Sequence, residues 1–171
     1  MFGPGEASII DNATPLRRAL GDKGGAYGSL GLPYVVAIRT SELLTDEFDI
    51  LNVLYGTLKV QFGSGPNGEM ATREVRSPDG YWLGATGWMH RNVSAVLVAH
   101  SLMPWGLAST VPTIWKHPDP AHPIDPPPMW RRAVIADGQL EYVQPSVLPH
   151  QILGLPEVWP EGDAFATYGS T

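Results

Sequence analysis

Cysteine is absent from all 171 residues, which removes disulfides, thiolate zinc sites, iron–sulfur clusters and a Cys nucleophile together. Charge is sparse as well: only 16% of residues are Asp, Glu, Lys or Arg, which excludes a disordered polyampholyte. Positive charge is the scarcer sign, with 11 Lys and Arg against 17 Asp and Glu and a formal charge of -6. The deficit is even along the chain, 7 basic against 10 acidic side chains in residues 1–85, then 4 against 7. With no basic lobe or tail to neutralise phosphates, nucleic-acid binding is not supported by charge. The longest apolar segments, Tyr34–Ile38 and Ala95–Ala99, have five residues each. A bilayer span needs about 20. Met1–Asn12 carries no Lys or Arg and no apolar stretch of signal-peptide length. These absences point to a soluble, cytoplasmic protein with no membrane partner.

Glycine and proline, by contrast, are abundant, with 19 and 17 copies. About 12% is the ordinary share of the two together, and here they fill nearly twice that. So much punctuation excludes an all-helical bundle and implies short elements joined by many turns. Twelve of the 17 prolines fall in residues 104–171, and seven in 112–128. The expected architecture is α/β or α+β: a small mixed β-sheet, two short helices near the N-terminus, and a Pro/Trp-rich C-terminal half dominated by loops. Residues 1–13 read as a flexible lead-in, 14–155 as one domain, and 156–171 as a loose tail.

Local signals place the elements. Thr14-Pro15 opens a helix, because a hydroxyl can cap it and proline lacks only an N–H that would go unused. Gly21, Gly24 and Gly25 make that helix short or weak. Tyr34–Ile38, apolar throughout, predicts a central strand buried on both faces. The clearest helix starts at a Thr45 cap, carries Asp46, Glu47 and Asp49 at its positive end and stops at Gly56. Phe48, Leu51 and Leu54, with Ile50 and Tyr55, form its packing face. Leu58–Phe62 alternates, predicting a strand with one dry and one wet face, followed by a loop at 63–68. Weaker strands are expected at 69–75 and 80–84. Val93–Ala99 predicts a second buried strand beside Tyr34–Ile38. Thr113–Trp115 is a short extended piece, and His117–Pro128 an irregular excursion. Asp137-Gly138 between apolar runs signals a two-residue hairpin loop.

His117-Pro-Asp-Pro-Ala-His122 is the densest set of candidate metal ligands. His117, Asp119 and His122, with His90, His100 or Asp125 in support, suit zinc or a non-haem metal. The same stretch also reads as a Pro-rich surface loop that happens to contain histidine. His90, Arg91 and Asn92 stand at the mouth of the strand at 93–99, where binding sites form and where loop tethers are equally common. Trp105 joins them as a binding candidate. No Gly-x-Ser-x-Gly elbow is present. Gly24–Gly31 leads from helix to strand, the reverse of a phosphate loop, so it reads as a connector. The six tryptophans read as hydrophobic payload under long loops, or as a groove lined by Trp105, Trp115 and Trp130. No residue pattern specifies a cofactor.

The succession Leu32-Pro-Tyr-Val-Val-Ala-Ile38, Asp49-Ile, Val53-Leu-Tyr-Gly56, Arg91-Asn-Val-Ser-Ala-Val-Leu-Val98 and Pro104-Trp105 has a further aspect. With Trp115-Lys-His-Pro-Asp-Pro-Ala-His-Pro123, it resembles the C-terminal portion of a set of longer, uncharacterised bacterial proteins. The likeness covers roughly residues 14–125. The helix-then-strand layout is also similar to the later half of a restriction-endonuclease-like core. That superfamily uses an Asp and an (Asp/Glu)-x-Lys pair to bind Mg²⁺ and poise water for phosphodiester cleavage. Here the lysines Lys23, Lys59 and Lys116 are preceded by Gly21, Thr57 and Ile114 at the acidic position, so the motif is missing. The resemblance therefore implies a domain non-catalytic on its own, the C-terminal part of a larger nuclease-like protein. A missing N-terminal segment or a protein partner would complete it. Two alternatives stand beside this reading. One is a metal-dependent hydrolase or nuclease using the His/Asp loop, and the other a protein-interaction module with a Trp/Pro-rich surface.

Overall fold

The computed structural model describes residues 13–40, 45–64, 69–100, 102–136 and 139–159. Helix α1 (Ala13–Gly24) precedes β1 (Val35–Thr40), α2 (Glu47–Tyr55) and the pair β2 (Leu58–Ser64) and β3 (Met70–Arg76). Two short strands, β4 (Leu83–Gly84) and β5 (Gly87–Trp88), lead to β6 (Ala95–His100). A 3-10 turn at Pro104–Gly106 is followed by β7 (Thr113–Lys116), β8 (Arg131–Ala136), β9 (Gln139–Val143) and a short α3 (Pro149–Leu153). Five strands form one mixed sheet in the order β1-β6-β7-β8-β9, so the chain has an α/β architecture. Strands β1 and β6 run parallel, as do β7 and β8, while β6–β7 and β8–β9 are antiparallel. No helix among the described residues is long and apolar enough to cross a membrane.

Three of the five sheet strands come from the proline-rich half, at the extended piece and the hairpin the sequence marks, and loops fill most of the rest of its described residues. Proline spacing explains this. No proline lies between Pro112 and Pro118 or between Pro128 and Pro145, and β7, β8 and β9 occupy those gaps. Elsewhere proline's missing donor bars the chain from a ladder. Ala136 pairs with Gln139, which leaves two residues for the hairpin turn. Asp137-Gly138 itself, the loop residues 65–68, the lead-in 1–12 and the tail residues 160–171 lie outside the described residues.

Strand β6 is buried on both faces, but β1 is not the central strand its apolar run predicts. It pairs with β6 alone, and Ala37 is exposed. An apolar run reports burial of side chains, not whether both backbone edges are paired. Leu16 and Leu20 of α1 and Ile50, Val53, Leu54 and Tyr55 of α2 close the core over Val36, Val96, Val98 and Trp115. Gly24 stays inside α1 because its bare Cα lies under the Tyr81 hydroxyl, where a Cβ would collide. The α2 cap is Asp46 rather than Thr45. Its side chain accepts from the Asp49 N–H at 2.8 Å while the Asp49 carboxylate receives the Asp46 N–H, a capping box that Thr45 cannot form from one residue earlier. Phe48, placed on the packing face by periodicity, is 55% exposed. The following turns of α2 bury Ile50 and Val53 in its stead.

The alternating segment β2 has no dry face. With β3 it makes a two-stranded ribbon, and Val60, Phe62 and Met70 are exposed along one side of it. The ribbon is anchored at its base. The Asp79 carboxylate accepts from both the N–H and the hydroxyl of Thr57 at 2.8 Å, and the Ser77 N–H donates to the Thr57 carbonyl. Desolvation alone would raise the Asp79 carboxyl, but these hydrogen bonds outweigh it and hold the group below its ordinary range. The Asp79→Ala variant is expected to lose about 1 kcal/mol of stability. Amide exchange in β2 and β3 should quicken more than in β6, and equal quickening would show that Asp79 does not act as the ribbon's anchor.

Candidate functional site

The turn His90–Val93 feeds β6, and its side chains reach in different directions. His90 adopts φ 53 and stacks flat on Tyr81, ring centroids 4.2 Å apart. Arg91 reaches the 117–122 loop, with Nε donating to the Asp119 carbonyl at 3.0 Å and Nη2 paired with the Asp119 carboxylate at 3.1 Å. Asn92 donates to the Gly24 and Gly28 carbonyls, satisfying the end of α1. Ser94, not singled out from the sequence, is the hub. Its hydroxyl donates to the His122 carbonyl at 2.6 Å and accepts the Tyr34 N–H, and its carbonyl accepts the His117 N–H. His90, Arg91, Asn92 and Ser94 thus brace α1, β1, β6 and the proline-rich loop against one another.

His117 is the most constrained of the expected ligands. Its ring is 3% exposed, edge-on to Trp82 and near Trp88. Nδ1 accepts the Asp119 N–H at 2.9 Å, which fixes the proton on Nε2, and Nε2 donates to the Met89 carbonyl at 2.8 Å. Burial pushes its pKa down, opposed by the Met89 bond and the Asp119 charge. A neutral imidazole with both nitrogens engaged has no lone pair for a metal. The Asp119 carboxylate is committed to Arg91, and His122 enters through its carbonyl. His100 stands at the other end of β6, Nδ1 at 2.7 Å from the Thr40 hydroxyl. Among the described residues no three His, Asp or Glu side chains gather as metal ligands, Asp125 included. The structure does not gather His117, Asp119 and His122 as one ligand set: His117 is bonded to backbone groups, Asp119 to the Arg91 side chain, and His122 through its carbonyl to Ser94.

The tryptophans do not form one groove either. Trp115 is fully buried beside Tyr55 and Tyr142, whereas Trp105 is half exposed on the 3-10 turn after β6. Hydrophobic payload in the core describes Trp82 and Trp115, both with no solvent-exposed area.

A concavity does form where the sequence gives no motif. A cleft of about 670 Å³ opens between β3 and the carboxyl end of β8, within the 300–1,000 Å³ span of small-molecule sites. Arg73, Glu74 and Arg76 make one wall, and Tyr55 and Leu58 lie at the base of the ribbon. Leu83 and Trp88 from the β4–β5 hairpin and Ile135 and Leu140 from β8–β9 complete it. The Tyr55 hydroxyl is turned away onto the Lys116 carbonyl at 2.7 Å, and burial holds the phenol far above its ordinary range. A second cavity of about 350 Å³, lined by Lys116, His117 and three prolines, shares Ile135 with the first. Arg76 lies one residue beyond the weak strand expected at 69–75 and ends β3. Nothing in a single sequence says that this strand and β8 line one cleft. No family model matches the chain, and comparisons with curated proteins and with solved structures likewise find no match.

Proposed function

We propose that this chain is a binding domain without catalytic chemistry of its own, working through the cleft between β3 and the β8–β9 hairpin. The observation that carries this reading is the engagement of both His117 nitrogens by backbone groups. A general base or metal ligand needs a free lone pair within reach of its target. Arg91, Asn92 and Ser94 are likewise taken up in tethering, so the residues richest in chemistry serve the frame. The missing (Asp/Glu)-x-Lys motif supports the same reading for a domain of nuclease-like resemblance, one that would act as part of a larger protein. The test is hydrolysis of duplex DNA and of bis(p-nitrophenyl) phosphate with Mg²⁺, Mn²⁺ or Zn²⁺. Expected are rates equal to buffer and a melting temperature unchanged by chelator. Turnover proportional to protein concentration, lost in the His117→Ala variant but retained in a Trp105→Ala control, would sink the proposal.

A further inference from the structure

The walls of the cleft are unlike in a way that specifies an occupant. One side is mostly apolar, built from Trp88, Leu83, Ile135 and Leu140 with Gln139 beside them. The other presents Arg76, which is half-buried and, among the described residues, spends only Nη1, on the Gly56 carbonyl at 2.8 Å. No described carboxylate lies within 4.0 Å of its guanidinium, and the described ion pairs involve Arg18, Arg91 and Arg131 instead. A partly desolvated cation without a counter-ion is costly, and an arriving anion recovers that cost. Burial already pushes the Arg76 guanidinium down, opposed by Tyr55 and Glu74. Glu74, two residues earlier on the same face of β3, limits how much negative charge the wall accepts.

We propose that the cleft takes a small amphipathic monocarboxylate, its apolar body against Trp88 and Leu140 and its carboxylate on the Arg76 guanidinium. This rests on the cleft being the binding surface, and it adds the chemical class of what binds. A polyphosphate or a nucleic-acid strand fits poorly, because Arg73 and Arg76 beside Glu74 leave one net positive charge, which cannot neutralise several negative ones. An aliphatic or aromatic acid leaves no charge unanswered and covers the apolar wall. The unspent Arg76 donors can meet both oxygens of a carboxylate.

The experiment titrates the full chain with octanoate, octan-1-ol and inorganic phosphate, following tryptophan fluorescence and calorimetric heat. Octanoate should bind about tenfold more tightly than octan-1-ol, the ratio a charge-assisted bond gives. Phosphate alone should not bind. Arg76→Gln should erase the octanoate preference and leave octan-1-ol binding as it was, whereas Arg76→Lys should keep part of it. Because Arg76 also holds the Gly56 carbonyl, a second variant from the opposite wall, Leu140→Trp, guards against misfolding. It should weaken octanoate and octan-1-ol alike. Equal binding of acid and alcohol, or phosphate binding as tightly as octanoate, overturns the monocarboxylate assignment and leaves the cleft as a binding surface. No binding of either eight-carbon probe, or octanoate binding untouched by both Arg76→Gln and Leu140→Trp, overturns the use of the cleft itself.

Discussion

The His117→Ala variant unfolds with about 4 kcal/mol less free energy than the parent, the sum of two stranded backbone groups and a cavity beside Trp82. Both partners of the imidazole are main-chain groups, the Met89 carbonyl and the Asp119 N–H. Neither can turn away, because the Met89 N–H is itself bonded to the Trp82 carbonyl and Ala121 is tied to Arg91. By contrast Arg91→Ala removes a half-exposed ion pair and costs only about 1 kcal/mol. Urea unfolding of the two variants measures the contrast. A His117→Ala loss no larger than that of Arg91→Ala would mean that water replaces the imidazole at low cost.

The same residue sets a pH dependence. Burial places the folded pKa of His117 below its ordinary 6.5, so between those two values the unfolded chain holds more protons. Stability therefore rises with pH across that window. The contribution is fully present above pH 6.5 and is lost as pH falls toward the folded value. Asp79 acts lower: its folded pKa lies below 3.8, so its share is present above that value and disappears as pH falls further. Unfolding measured at pH 5 and pH 7.5 should differ in the parent, with the difference much reduced in the His117→Ala variant. An unchanged difference would assign the slope to other groups.

The second large effect is at Gly56, where α2 ends and the ribbon begins. Its φ of 88 with ψ of 155 belongs to a region essentially restricted to glycine. Any Cβ there would also run into the Ser77 carbonyl and press on Asp79. Gly80 meets the same crossing from the other side, against the backbone of Leu54, Tyr55 and Gly56. Gly56→Ala is accordingly expected to cost about 3 kcal/mol or more, far above the tenths that an ordinary loop Gly→Ala changes. Since the Gly56 carbonyl positions Arg76, the variant should also alter the cleft, readable as changed Trp88 fluorescence. Gly63→Ala is the control, for nothing lies within 4 Å of its added methyl. Similar melting of the two variants would refute the close crossing.

Much of the frame was written in local pattern. The helices at α1 and α2, the apolar strands β1 and β6 and their adjacency follow from periodicity, caps and apolar runs, all of which act over a few residues. The β8–β9 hairpin was marked by its turn dipeptide. Apart from the α2 cap, one residue off within a local capping box, what failed did so where the answer depended on distant chain. Phe48 and the apolar residues of β2 carry the right spacing for burial, yet no described element covers them. Tyr34–Ile38 looks like a central strand because side-chain burial, not strand pairing, leaves its trace in composition. The histidines looked like ligands because a sequence records their donors and not the carbonyls facing them.

Residue order thus set the element types, the turns and the low positive charge, since each rests on propensity or composition carried by the residues themselves. Packing set the rest. It decided that Ser94 and His117 lock the proline-rich loop to β6, and that β3 and the β8–β9 hairpin line one cleft with Arg76 unpaired by any described carboxylate. Those outcomes depend on contacts between segments far apart in sequence, 28 residues between Ser94 and His122 and 61 between Tyr55 and Lys116. Short-range pattern holds no information about such meetings, because the free energy that selects them exists only once the core is assembled.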